Sequence, residues 1–162
     1  MRIVIEGLRP VPQGSMTASY NRQTGTAHVH HVQGAALALW RATIRQAAKD
    51  AQAELYLGPV KMRVIFGMQR PKSHFTLRRG KYVIKMAHYY DQPAVMPDCD
   101  KLIRAVGDAL TGICYKDDAQ IVHIEATKAY ADSTQIEVTE AFGPFDRPAT
   151  LGLEQDTEGD TA

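Results

Sequence analysis

Cysteine is scarce: the 162 residues hold two, Cys99 and Cys114. Two thiols make neither a disulfide framework nor a zinc pattern, so the expectation is an intracellular protein with reduced thiols. Long apolar runs are lacking as well. MRIVIEGLRP has a charge at position 2 and an acid at 6, which leaves no stretch long enough for a signal peptide. Nothing approaches the length of a transmembrane helix, so no membrane partner is expected. Acid is nearly missing from the first half. Residues 1–90 contain 14 Lys+Arg against 3 Asp+Glu, and residues 91–162 contain 5 against 15. The net charge of +1 hides this asymmetry. A basic surface beside an acidic pocket suits an enzyme that grips a polyanion and cuts it with metal ions. Chance clustering of solvated charge would give the same counts. The 44% hydrophobic content excludes a wholly disordered chain, and the length fits one domain.

Apolar spacing outlines the elements. RIVIEGL reads as a strand, RPVPQGSM as a Pro/Gly turn, and TASYNRQTGTAHVHH as a hairpin turning at Asn21–Gly25. From Gly34 to about Leu55, Leu37, Trp40, Ile44, Ala47 and Ala51 recur at helical spacing, with Arg41, Arg45 and Lys49 beside them. GPVKMRVIFGMQR (58–70) is the strongest strand, and KYVIKM reads as a short one. A helix is expected from about Asp100 to Thr111 and a strand from about Asp118 to Tyr130. A turn at Ala131–Ser133 then leads to TQIEVTEA, and these last two strands are expected to pair as a hairpin. The order implies an α+β or mixed α/β fold, a small mixed sheet with two main helices packed on one face. Residues 1–142 read as a single domain and 143–162 as an acidic, mobile tail.

Five aspartates stand in PDCDKLIRAVGDALTGICYKDDAQIV: Asp98, Asp100, Asp108, Asp117 and Asp118. On a helical wheel Leu102, Ile103, Val106, Ala109 and Leu110 share one sector, while Asp100, Arg104 and Asp108 form the opposite edge. Each acid has an ordinary reading. Asp98 or Asp100 caps the helix; Asp100–Arg104–Asp108 forms an ion-pair ladder; Asp117 and Asp118 are turn residues. Yet two carboxylates at i, i+2 are redundant for capping, and close anions repel unless a cation lies between them. Magnesium takes one or two carboxylates and completes its octahedron with water and phosphate oxygens. A third carboxylate, Asp118, reaches Asp98 and Asp100 only if residues 112–117 run back nearly straight. With a tight turn, Asp117 and Asp118 would neighbour Asp108. Strand parity puts Asp118 on the face of Val122, Ile124 and Ala126, the face expected to meet the helix.

The aspartate block, with its spacing and preceding strand, resembles the RusA family of Holliday-junction resolvases. PVPQGS, RPKSH at 70–74 and the HVHH before the first helix look like the phage-type branch. The resemblance covers most of residues 5–140. It implies a mixed α/β homodimer that cuts four-way DNA junctions with Mg²⁺ (or Mn²⁺), in recombination and repair, in the cytoplasm of a bacterial cell or phage-infected host. By position it makes Asp98, Asp100 and Asp118 the metal-binding carboxylates. Asp108 and Asp117 match acidic positions of less defined role. The family's catalytic lysine falls on Arg104 and its asparagine on Lys101. An arginine stays protonated and cannot act as a base at neutral pH. Arg104 can still stabilise charge on the phosphate, and Lys101 either supplies the missing amine or binds backbone.

The stretch 70–90 carries Arg70, Lys72, Arg78, Arg79, Lys81 and Lys85, no acid, and four aromatics. With Lys116 these form the expected DNA-binding set, the aromatics being candidates to stack on unpaired bases. The alternative is a solvated loop with its aromatics tucked on the core. His28, His30 and His31 have no apparent third ligand and no zinc spacing, so backbone or structural roles are expected. Cys99 reads as a small packing residue and Trp40 as core. Gly107, near the polar edge, suggests a close approach by DNA or a neighbouring strand. The rival to a nuclease is a junction-binding protein that no longer cleaves. A hydrolase of small phosphate esters fits less well, because a mononucleotide needs no such extended basic field.

Overall fold

Alternating burial builds the sheet. In β1 (Arg2–Glu6) Ile3 and Ile5 are buried; in β4 (Val60–Met68) Val60, Met62, Val64 and Phe66 are; in β8 (Ser133–Glu140) Ile136 and Val138 are. These side chains share one face and meet two helices. α1 (Gly34–Asp50) presents Leu37, Trp40, Ile44 and Ala48, and α2 (Cys99–Leu110) presents Leu102, Ala105, Val106, Ala109 and Leu110. The opposite face carries Arg2, Arg63, Gln135 and Glu137 in contact with solvent. The computed structural model describes residues 1–141 apart from 15, 32, 33, 89 and 91. The side chains of 28, 30 and 31 and the expected tail at 143–162 lie outside the described residues.

Among the described residues the main sheet has four strands in the order β1-β8-β4-β7, with β7 spanning Ile121–Tyr130. β8 runs antiparallel to both β1 and β4, and β7 runs parallel to β4. The last two strands therefore do not form the expected hairpin: β4 lies between them. The chain leaves β7 at Tyr130 and crosses the end of β4, where Ala131 N–H donates to Met68 O at 3.3 Å. The crossing needs Gly67. A Cβ there would sit 2.1 Å from the Ser133 carbonyl oxygen, which no side chain tolerates. The adjacent Thr134 hydroxyl accepts the Gly67 N–H at 3.1 Å.

Two smaller hairpins flank the sheet. β2 (Met16–Asn21) pairs with β3 (Thr26–His31), as the sequence suggests. β5 (Phe75–Arg78) pairs with β6 (Lys81–Ile84) around Arg79–Gly80, both at positive φ (49° and 76°). Two left-handed residues in a two-residue loop match the twist of a tight hairpin. The sequence reading found β6 but not its partner. α1 ends at Asp50 rather than near Leu55, and Gln52 at φ 52° breaks the run. Trp40 is fully buried and Cys99 packs against the core, as expected. No described helix is long and apolar enough to cross a membrane.

Candidate functional site

The polar edge of α2 is built from its N-terminal end. Asp98 occupies the cap position, at φ −67° and ψ 141°, yet its side chain caps nothing. Its carboxylate instead accepts from Lys101 Nζ at 2.7 Å. That hydrogen bond, followed by the Asp98 charge and then that of Asp100, raises the Lys101 pKa above its ordinary value. Lys101 is thus held as an ammonium. Asp100, one turn-position on, is exposed and makes no hydrogen bond or ion pair with a described residue.

The expected ladder Asp100–Arg104–Asp108 does not form. Asp108 is bound instead by the Arg41 guanidinium from α1, and the same Nη2 donates to Gln13 Oε1. Arg104 stays exposed. The reason is reach. The loop at 10–14 lies against α2: Gln13 N–H donates to Lys101 O at 2.9 Å, and Gly14 sits beside the Lys101 stem and Arg104. This loop brings Gln13 to Arg41, and α1 brings Arg41 to Asp108. Gln13 and Arg41 were missed as site residues. The signal was there in PVPQG and in the basic stripe of α1, but not which acid the stripe would meet.

The connection after α2 turns tightly. Ile113 and Cys114 N–H both donate to Leu110 O at 3.0 Å, and the Tyr115 hydroxyl reaches back to Gly107 O at 2.9 Å. Burial, then the charges of Cys114, Asp118 and Asp108, push the Tyr115 phenol well above its ordinary pKa. Asp118 and Asp108 therefore both lie within electrostatic reach of one ring, at the C-terminal half of α2. Ile121 follows. A Cβ at Gly107 would lie 4.0 Å from the Ile121 side chain, an ordinary contact, so the neighbouring strand β7 makes no close approach at this glycine.

Asp117 is a structural residue. It caps the short 3-10 turn Asp118–Gln120, accepting Ala119 N–H at 2.8 Å, while Gln120 Oε1 accepts from Asp117 and Lys116 N–H at 3.2 and 2.8 Å. Gln120 Nε2 ties this turn to Tyr56 O and Gly58 O. Asp118 lies in that turn, not in β7, and it is exposed and unpaired among the described residues. The parity expectation fails for this reason and for a second one. The β4–β7 register shifts between Val60 and Lys61, pairing with Ile121 and His123, so Val122 is an extra residue. Among the described residues no group of three or more His, Cys, Asp or Glu stands ready to hold a metal ion.

The β5–β6 hairpin carries Arg78, Arg79 and Lys81 at its exposed tip, with Lys72 and Lys85 exposed nearby. Lys85 Nζ donates to Ser73 O at 2.7 Å. Arg70 is partly committed: its guanidinium lies 4.0 Å over the Tyr130 ring and donates to Tyr90 O at 2.9 Å. Lys116 is exposed beside the Asp117 turn. A cavity of about 890 Å³ opens between β7 and the segment leading to Asp98, walled by His74, Tyr90, Gln92, Lys128 and Tyr130.

A two-helix layer on a mixed sheet, with an acidic helix edge and a projecting basic hairpin, defines an α+β protein. The family model described as endodeoxyribonuclease RusA matches residues 9–139, and the chain belongs to that family. It is also similar to the uncharacterized protein YqaN of Bacillus subtilis (strain 168), 32% identical over 92 residues. That match covers 57% of this chain and 63% of the relative.

Proposed function

We propose that this chain is a Mg²⁺-dependent endonuclease that resolves four-way DNA junctions by paired, symmetric nicks, in recombination and repair. The state of Asp98 carries this reading. A carboxylate at a helix N-terminus ordinarily caps it, worth about 1 kcal/mol. Here the cap bond is absent and the oxygens are left to a lysine and to solvent. Asp100 and Asp118 are likewise uncommitted, whereas Asp108 and Asp117 are spent on structure. The same division follows from the family pattern, which points to Asp98, Asp100 and Asp118.

These donors fit magnesium. All are hard carboxylate oxygens, and one or two suffice when water and a phosphate complete the shell. Asp98 and Asp100 would hold the ion, while Asp118, kept with Asp108 beside the C-terminal half of α2 by the tight turn, would stand apart from them. Bound Mg²⁺, or Mn²⁺, would supply an activated water and neutralise charge at the leaving oxygen. Lys101 and Arg104 hold positive charge along the same edge, where they offset the charge of the phosphate as it is attacked. Neither takes a proton: Arg104 has no neutral form at working pH, and Asp98 keeps Lys101 charged. The hairpin cations Arg78, Arg79 and Lys81, with Lys72, Lys85, Arg70 and Lys116, would track phosphates on the junction arms. A two-fold homodimer would present two such sites to a substrate of matching symmetry. The setting is the cytoplasm of a bacterial cell or its phage-infected counterpart.

The test is cleavage of a labelled synthetic four-way junction in Mg²⁺ and in EDTA, beside a linear duplex of matched sequence. Symmetric, Mg²⁺-dependent nicks confined to the junction are expected. A second reading, junction binding without cleavage, draws on the two cationic side chains, Lys101 and Arg104, at the family's asparagine and lysine positions. Tight binding by folded protein with no nicks would select it.

A further inference from the structure

The Asp98-x-Asp100 pair follows a stretch, residues 92–97, with no regular structure. Such a stretch cannot fix a carboxylate by itself, because its backbone has no ladder to hold it. The anchor is Lys128. This lysine lies in β7, paired with Phe66 of β4, on the helix-side face with Ala126. Its Nζ donates to Val95 O at 2.7 Å and to Pro97 O at 3.1 Å. Pro97 immediately precedes Asp98. The Asp98 carbonyl in turn accepts from Leu102 N–H at 3.2 Å, which opens α2. A chain of bonds thus runs from β7, the edge strand paired with β4, to the acidic pair.

The choice of lysine is informative. An apolar side chain would suit a half-buried strand position at lower desolvation cost. Lys128 has no carboxylate partner among the described residues; it meets two carbonyls, neither of which can neutralise it. What the two charge-assisted bonds achieve is to hold two peptide planes, one of them adjacent to Asp98. Misplacing a catalytic group by about 1 Å costs on the order of 100-fold in rate. We propose that Lys128 is a positioning residue: it sets the backbone ahead of Asp98 so that Asp98 and Asp100 meet metal and phosphate in register. This rests on the reading of Asp98 and Asp100 given above.

Hydrogen exchange on the metal-free protein tests the clamp without relying on activity. In Lys128→Met, which keeps the stem, the amides of the first hydrogen-bonded turn of α2, beginning with Leu102 N–H on Asp98 O, are expected to exchange at least about tenfold faster, with α1 and β4 unchanged. The Mg²⁺ concentration for half-maximal junction cleavage should rise by roughly 10–100-fold, while junction affinity in EDTA stays constant. Lys128→Arg, which restores donors near the same carbonyls, should recover part of both effects. Unchanged exchange at the first hydrogen-bonded turn of α2, or faster exchange spread evenly over the chain, would overturn the proposal. So would a loss of EDTA affinity with a shallower salt dependence, since Lys128 would then be a phosphate contact. If Lys128→Met does not fold, Lys128→Gln keeps one donor and the same local exchange decides. Should the wild-type protein not cut junctions at all, the site reading fails on that result, and the exchange data still judge the clamp.

Discussion

Arg41 of α1 grips Asp108 of α2 and Gln13 of the 10–14 loop with one guanidinium nitrogen. The two helices and the loop are thereby locked together behind the acidic edge. Removing Asp108 strands a partly buried cation, and removing Arg41 strands the anion. Asp108→Asn should cost about 1–2 kcal/mol in urea unfolding and leave Mg²⁺-dependent cleavage within a few-fold. A loss of cleavage comparable to that of Asp98→Asn, at unchanged stability, would place Asp108 among the metal ligands instead.

Asp98→Asn should abolish cleavage yet bind junction DNA as tightly as wild type or more so, because one repulsive charge is gone. Wild-type cutting by this variant would end the metal assignment. It should also remove the larger part of what raises Lys101, leaving the charge of Asp100. In the wild-type protein that base is raised, so its charge persists from neutral pH up through its ordinary pKa. Cleavage should therefore show no alkaline fall assignable to Lys101 between about pH 6 and 9. A fall there that vanishes in Lys101→Met would mean that Lys101 titrates during the reaction.

Neutralising Arg78, Arg79 and Lys81 together should flatten the plot of log affinity against log salt by up to about 3, at about 0.9 per phosphate contact. Folding should be untouched, since all three are exposed at a hairpin tip. An unchanged slope would remove the hairpin from the DNA interface.

Burial pushes the Cys114 thiol up to about 11, and burial raises Tyr115 in the same direction. Both are acids held protonated by the fold. Their contribution to stability is full below their unfolded pKa values and is lost as pH rises through the folded ones. Stability should thus decline from about pH 9 upward, and Cys114→Ala should make the decline between about pH 9 and 11 shallower. Thiol reagents at neutral pH should label Cys99 and spare Cys114. Equal labelling would contradict the burial of Cys114.

Gly67→Ala would place a methyl 2.1 Å from the Ser133 oxygen. Backbone cannot yield as a side-chain tip does, so a loss above about 3 kcal/mol is expected. Near-native melting would contradict the close crossing of β4 at Gly67.

Much of this was legible in the sequence because it depends on local pattern. Alternation gave β4, helical spacing gave both helices and their buried stripes, and the aspartate block gave the family. What the pattern could not give was pairing across distance. Nothing in TKAYADSTQIEV marks the strand that inserts between its two halves; only Gly67, far upstream, carries the steric signal. Likewise the Asp100–Arg104–Asp108 spacing permits a ladder, and it is Arg41, distant in sequence, that takes Asp108. The extra residue at Val122 undid the parity argument for Asp118, because one bulge reverses every face before it. The connection after α2 was open between two lengths, and hydrogen bonds at Leu110 O and Gly107 O decide for the tight one.

The strand order also has a consequence in time. β8 joins β1 to β4, so the first strand made has no neighbour in the sheet until the last one leaves the ribosome. Before then, β4 and β7 alone underlie the helices, and Ile3 and Ile5 have no sheet to join. Contacts so distant in sequence form late. A partly synthesised chain therefore carries the aspartate block on β4 and β7 alone, and it is the floor under α1, which packs on β1, that waits for the complete sheet.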